Sequence, residues 1–292
     1  MLQIPDADIT VDEQLAARLI AEQHPDLADQ PIRLLDVGWD NYMFKLGEDL
    51  LLRFPRRAVA VPLLQNEEKW LPEIAARLPI TISAPVRLGS PGTGYPWPWN
   101  VLPYLPGKSA NMAAPENSQA ERLGRFLKAL HTPAPADAPR NDLRGVPLHK
   151  RSVLVEDCMK RLAKRTELIT PVIRTVWQEA LAAPPAHDRR WLHGDLHPRN
   201  VIVNEGVITG IIDWGDLTSG DVATDLAAIW MLFPDAAARA QALVAYALAD
   251  DAIVRRAKGW AVFFGVILAE SGLENDEQLW LMGRQTLRNL LA

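Results

Sequence analysis

The sequence predicts an α+β fold of two lobes, a small antiparallel sheet with one helix followed by a mainly helical lobe. Three observations predict it. Short strand-like runs, Ile32 to Val37, Tyr42 to Leu46 and Leu50 to Phe54, are joined by the glycine-containing turns Gly38-Trp39-Asp40-Asn41 and Gly47-Glu48-Asp49, the pattern of a meander. In the second half apolar residues recur mostly at helical spacing. Within that half, Trp191 to Asp216, WLHGDLHPRNVIVNEGVITGIIDWGD, carries two apolar runs joined by Asn204-Glu205-Gly206, which reads as a β-hairpin.

Composition narrows the classes. A chain of 292 residues with 48% apolar content holds a substantial core, enough for one large or two modest domains, and excludes a disordered protein. The net charge of −5 argues against nucleic acid and suits a cationic substrate. Cys158 is the single cysteine, so no intrachain disulfide forms and a reducing compartment fits. The N-terminus has no basic segment followed by an apolar one, so no signal peptide is expected. The longest apolar run, WAVFFGVILA at 260–269, is too short to span a bilayer. A cytoplasmic protein without membrane or nucleic-acid partner is expected, and its oligomeric state is open.

In chain order, Thr10-x-x-Glu13 is a capping box that starts a helix over Val11 to Gln23. The meander follows, with Arg53 on its third strand. Pro62 opens the next helix, populated by Leu63, Leu64, Glu67, Trp70, Leu71 and Ile74, and Pro72 predicts a break in it. Helical spacing puts Glu67, rather than Glu68, on the apolar side, and an inward charge demands a partner. Val86 to Leu88 and Trp99 to Leu102 read as further strands, with Gly92-Thr93-Gly94 as a turn. LPYLPG at 102–107 is a stiff connection and sets the lobes at 1–103 and 104–292. An amphipathic helix ends near His131-Thr132-Pro133. Others cover Ser152 to Arg165, Pro171 to Ala183, Val222 to Leu232, Ala236 to Leu248, Ala252 to Ser271 and Asp276 to Leu291.

The hairpin folds Asp213 back beside Asp195 and Asn200. Two carboxylates and one amide oxygen, without thiol or imidazole, are hard donors that suit Mg²⁺ rather than Zn²⁺. HGDLHPRN resembles the catalytic loop of protein kinases, H-R-D-L-x-x-x-N, with glycine for arginine, and IIDWGD stands where kinases carry D-F-G. HGD and DWGD together resemble the aminoglycoside phosphotransferase family, the kinase-like antibiotic phosphotransferases that include macrolide phosphotransferase-like members.

That resemblance implies a protein-kinase-like two-lobe fold and a Mg²⁺-dependent transfer of the γ-phosphate of ATP or GTP to a hydroxyl. It implies that Asp195 orients or deprotonates the hydroxyl, that Asn200 and Asp213 hold Mg²⁺ on the phosphates, and that His193 and Asp225 support the loop. By the same resemblance Gly38 to Asn41 cover the phosphates with backbone N–H groups, and the Pro103 carbonyl and Leu105 N–H bind adenine. Arg53 stands where kinases place lysine, with Glu67 as its partner; arginine keeps a permanent charge that grips phosphate in bidentate fashion. For Asp225 a plain helix N-terminal charge is the competing role. Asp216 and Asp221 read as ordinary charges.

The acceptor implied first is an aminoglycoside-type antibiotic, its ammonium groups met by Glu270, Glu274 and Asp276 at a helix–helix junction. LRFPRR and WAVFFGVILAESG also resemble macrolide kinases, and a choline-like alcohol or a sugar shares the mechanism. From another class, a nucleotide-binding pseudokinase would act as an interaction module; intact Asp195, Asn200 and Asp213 argue against it. A protein kinase is disfavoured because no A-P-E segment follows Asp213.

Overall fold

The computed structural model describes residues 5–292. The chain divides into two compact units. One runs from the start of the described residues to Ala76 and from Thr81 to Pro106; the other takes Arg77–Ile80 and Gly107–Ala292. The division thus falls past the boundary expected after residue 103. Hydrogen bonding explains the shift: the Tyr104 N–H donates to the Asp49 carbonyl at 2.7 Å, and the Lys45 ammonium sits 3.0 Å from the Tyr104 ring centroid, so the segment stays tied to the sheet.

The first unit contains helix α1 (Glu13–Gln23), strands β1 (Ile32–Val37), β2 (Asn41–Leu46) and β3 (Leu50–Pro55), helix α2 (Val61–Ala75), and strands β4 (Arg87–Gly89) and β5 (Trp99–Pro103). The five strands form one antiparallel sheet in the order β1-β2-β3-β5-β4. Alternation along β3 sets its faces: Leu52 and Phe54 are fully buried in a core with Phe44, Trp99, Val101, Leu19 and Ile20, while Arg53 lies on the other face. Phe54 stacks on Trp99 with ring centroids 4.9 Å apart.

Two local expectations change here. Asp12, not Thr10, caps α1, accepting from the Leu15 N–H at 2.7 Å. The Glu13 carboxylate does not close a capping box; it accepts from the Leu34 N–H of β1 at 2.8 Å. Aspartate caps a helix as well as threonine does, and the strand draws Glu13 away. Asp12→Ala is expected to lower stability by about 1 kcal/mol in urea denaturation, whereas Thr10→Ala should change it by under half of that. Pro72 does not break α2, which runs on to Ala75, because the donor it lacks falls in the last turn.

The second unit opens with strand β6 (Lys108–Ser109) and helices α3 (Ala120–Leu130), α4 (Ser152–Ala163) and α5 (Pro171–Ala182). Strands β7 (Arg190–Leu192), β8 (Val201–Asn204), β9 (Val207–Ile211) and β10 (Thr218–Gly220) follow, then helices α6 (Ala223–Leu226), α7 (Ala228–Leu232), α8 (Ala236–Tyr246), α9 (Asp251–Gly272) and α10 (Glu277–Asn289). Strand β8 pairs antiparallel with β9 and β6, and β7 with β10. The helix expected over Val222 to Leu232 is two, α6 and α7, with Ala227 between them. Helix α8 stops at Tyr246 because Ala247 adopts φ 61°, the left-handed cap. Helix α9 is buried along most of its length and packs on α4, α5, α6 and α10. Its approach to α10 is close at Gly283, where a Cβ would lie 2.2 Å from the Ala269 nitrogen. No helix among the described residues is long and apolar enough to cross a membrane.

Candidate active site

The hairpin β8–β9 turns through Glu205 and Gly206, whose φ angles of 49° and 79° are the left-handed pair of a type I′ turn. Antiparallel pairing continues past β9, where the Ile212 N–H donates to the Asn200 carbonyl at 2.9 Å. That bond sets Asp213 beside Asn200. The Asn200 amide nitrogen donates to the Asp195 carbonyl at 2.9 Å, which joins the third member. Asp213 has φ 61°, a left-handed conformation that aspartate tolerates better than most residues. Its side chain is exposed and makes no hydrogen bond or ion pair among the described residues.

His193 is fully buried and both ring nitrogens are engaged with backbone. Nε2 donates to the Ile212 carbonyl at 2.9 Å, and Nδ1 accepts from the Asp195 N–H at 3.2 Å. The ring therefore ties the Asp195 loop to the strand end that carries Asp213. Gly194 has φ 88°, and a Cβ there would meet the Asp216 carbonyl oxygen at 2.5 Å, which accounts for glycine at this position of the loop. Asp225, wholly buried, receives the His193 N–H at 2.7 Å and the Gly194 N–H at 2.9 Å on its two oxygens. His131 Nε2 lies 3.3 Å from the same carboxylate, and its Nδ1 lies 2.9 Å from the Tyr246 hydroxyl. Asp225 is thus more than a helix-end charge.

The Asp195 carboxylate accepts from Arg144 Nη2 at 2.6 Å and lies 3.4 Å from His197 Nε2. Burial pushes its pKa up, but the hydrogen bond and charge of His197, then Arg144 and His193, outweigh that and hold it well below the usual carboxylate range. Arg144 comes from a loop that Asn141 organises. The Asn141 oxygen accepts from the N–H groups of Leu143 at 2.8 Å and Arg144 at 3.1 Å. Its amide nitrogen donates to Asp216 at 2.6 Å, and Arg144 Nε stands 3.7 Å from the same carboxylate. Burial raises the Asp216 pKa against the pull of Arg144. Arg144 and Asn141 are site neighbours that the sequence pattern did not single out, and Asp216, read there as an ordinary charge, meets both; the local signal that could have marked the loop is the Asn-to-Gly turn chemistry at 141–145. Asp221 is likewise not an ordinary helix charge: Arg256 donates to both its oxygens, at 2.7 and 3.2 Å, in a buried pair.

In the sheet unit, Arg53 and Glu67 form a two-pronged pair at 3.0 and 2.8 Å, with side-chain exposures of 6% and 2%. Arg56 donates to the Gly38 carbonyl at 3.2 Å, and Arg57 pairs with Asp40, so the end of the RFPRR run pins the turn between β1 and β2. The Gly38 N–H is itself taken by the Asn41 carbonyl at 2.9 Å. That leaves the N–H groups of Trp39 and Asp40, rather than Gly38, unbonded among the described residues. Pro103 ends β5 opposite Leu50, and the Leu105 N–H makes no hydrogen bond among the described residues.

The three acids expected at the helix junction are all engaged. Arg161 donates to Glu270 at 2.9 Å, and that bond holds the Glu270 pKa below its usual value. Arg165 pairs with Glu274 at 2.8 Å. Asp276 caps α10 through the Leu279 N–H at 3.1 Å and stands 3.8 Å from Arg199.

A kinase-like lobe pair with these loops defines a phosphotransferase class of protein. The sequence matches the profile of the Phosphotransferase enzyme family over residues 31–260, and the chain belongs to that family. Solved structures with the same fold include the GDP complex of aminoglycoside 2'-phosphotransferase-IIIa, 20% identical with a TM-score of 0.66 over 96% of this chain and 98% of that one. The macrolide 2'-phosphotransferase MphH from Brachybacterium faecium is 22% identical, with a TM-score of 0.61 over 94% and 98% of the two chains. ADP-bound APH(2'')-Ib is 18% identical, with a TM-score of 0.58 over 96% and 98%. No curated protein matches the chain.

Proposed function

We propose that the protein transfers the γ-phosphate of ATP or GTP to a hydroxyl of a small molecule, with Mg²⁺ as cofactor. The observation that carries this reading is the chain of contacts from Asp213 through Ile212 and Asn200 to Asp195. In it Asp195 orients the acceptor hydroxyl, and Asn200 and Asp213 would hold the ion. They fit it: one amide oxygen and one unpaired carboxylate are hard donors, and Mg²⁺ completes its shell with water and phosphate oxygens. When bound, the ion neutralises charge on the phosphates. Arg53, held by Glu67, supplies a fixed positive charge for the phosphates, the Trp39 and Asp40 N–H groups extend it, and Pro103 and Leu105 take the base. A cytoplasmic setting accords with the co-substrate.

For the acceptor, an aminoglycoside and a macrolide are both in view, since relatives of this fold act on each. The aminoglycoside reading draws on Glu270, Glu274 and Asp276. Each already faces an arginine, which leaves little net negative charge to attract ammonium groups. Intact Asp195, Asn200 and Asp213 support an enzyme rather than a pseudokinase.

The test is product mass after incubation with Mg²⁺ and either ATP or GTP, against aminoglycosides, macrolides, sugars and small alcohols. One class should gain a phosphate, EDTA should abolish the gain, and Asp213→Asn should lower kcat by roughly 10³-fold. Nucleotide binding without product from any acceptor would favour the pseudokinase.

A further inference from the structure

On the kinase reading above, we propose that the acceptor carries an anionic group, a carboxylate or phosphate, near its reactive hydroxyl, and that Arg151 binds that group. Several arginines of the helical unit face carboxylates. Arg144 is shared by Asp195 and Asp216, Arg161 meets Glu270, Arg165 meets Glu274 and Arg199 approaches Asp276. In this set Arg151 is left over. Among the described residues its guanidinium has no hydrogen bond and no ion pair, and its Nε is buried without a partner.

A guanidinium does not escape this position by losing its proton. Burial, then the charge of Arg144, press its pKa below the ordinary arginine value, so both disfavour the charged form it must keep. An incoming anion removes that penalty.

The place is adjacent to the chemistry. The Arg151 guanidinium lies 5.1 Å from the Phe263 ring centroid, and that of Arg144 lies 5.8 Å from the same ring. Arg144 in turn reaches Asp195 at 2.6 Å. An anion on Arg151 is therefore bound at the Phe263 ring that Arg144, the arginine that holds Asp195, also meets. The unpaired charge of Arg151 disfavours an ammonium group at the same place.

The test compares wild type with Arg151→Gln and Arg151→Lys on matched acceptors: D-glycerate against glycerol, D-gluconate against sorbitol, glucose 6-phosphate against glucose, with kanamycin as the cationic case. The anionic member of a pair should be phosphorylated with the higher kcat/KM. Arg151→Gln should raise its KM about tenfold or more with kcat little changed, and Arg151→Lys should recover part of the loss. A neutral or cationic member preferred by wild type overturns the proposal. Independently, titration of inorganic phosphate and acetate should show millimolar binding to wild type that Arg151→Gln loses; equal binding to both proteins, or none to either, also overturns it. Arg151-dependent anion binding without turnover of any acceptor would leave the anion subsite standing and sink the kinase reading instead.

Discussion

Asp195→Ala is expected to lower kcat for phosphoryl transfer by roughly 10³-fold, within the range for loss of a positioned acid–base group, while nucleotide affinity stays within about twofold. The separation follows from where the residue sits. Its carboxylate is held by Arg144 and His197, and only its main-chain carbonyl meets Asn200, so truncating the side chain leaves the proposed cation ligands in place. The same contacts bear on its role. A carboxyl held well below the usual range is a weak proton acceptor, so on the proposed reading Asp195 acts mainly by orienting the hydroxyl. Phosphoryl transfer through a loose transition state asks for little more. Asp195→Asn should accordingly retain more activity than Asp195→Ala, and Asp195 should contribute no acid limb to the kcat profile in the ordinary carboxylate range. The sign of the stability linkage is that of a depressed carboxylate: its contribution is present above the unfolded pKa of about 3.9 and is lost as pH falls through the lower folded value. Steady-state kinetics with parallel nucleotide titration measure the two effects. An Asp195→Ala enzyme within tenfold of wild-type turnover would remove the residue from the mechanism.

What the chain disclosed in advance was whatever depends on neighbours in sequence. The hairpin was readable because Glu205-Gly206 is a two-residue turn between apolar runs, and its register alone carries Asp213 to Asn200. Glu67 was separable from Glu68 because a helix repeats every 3.6 residues, and Glu67 lies nearer the centre of the stripe of Leu64, Leu71 and Ile74 than Glu68 does. Arg144 was not readable. It lies 51 residues before Asp195, and no local period reports a contact made by folding the loop onto the site. The acids of the helix junction failed for the same reason, since Arg161 and Arg165 each stand 109 residues from their partners. A pattern shows that a charge is present; only the fold shows that it is already neutralised. Caps fall between the two cases. Thr10 and Asp12 both satisfy the local rule, and the contact of Glu13 with Leu34 on β1 decides between them.

Asp225→Asn is expected to damage the protein nearly as much as Asp225→Ala, which separates a backbone brace from a helix-end charge. The carboxylate accepts on both oxygens, from the N–H groups of His193 and Gly194, in a fully buried position. An amide offers one acceptor oxygen and turns an NH₂ group toward the other donor, so one buried N–H is left facing a second donor. Alanine leaves both N–H groups unsatisfied and His131 without its carboxylate. Unmet buried donors cost about 1–3 kcal/mol each, and breaking a buried charged network costs about 3–5 kcal/mol, so either variant should lose on the order of 3 kcal/mol of stability. The functional loss follows from geometry, because Asp225 holds the two residues that precede Asp195. A loop freed by an ångström should lose about 10²-fold in kcat even where the protein remains folded. Amide hydrogen exchange reads the brace directly: protection at His193 and Gly194 should fall at least tenfold more than protection in α9. A helix-end charge alone would give a different result, with Asp225→Asn losing under about 1 kcal/mol and exchange at Gly194 unchanged, and that pattern would return Asp225 to the ordinary role.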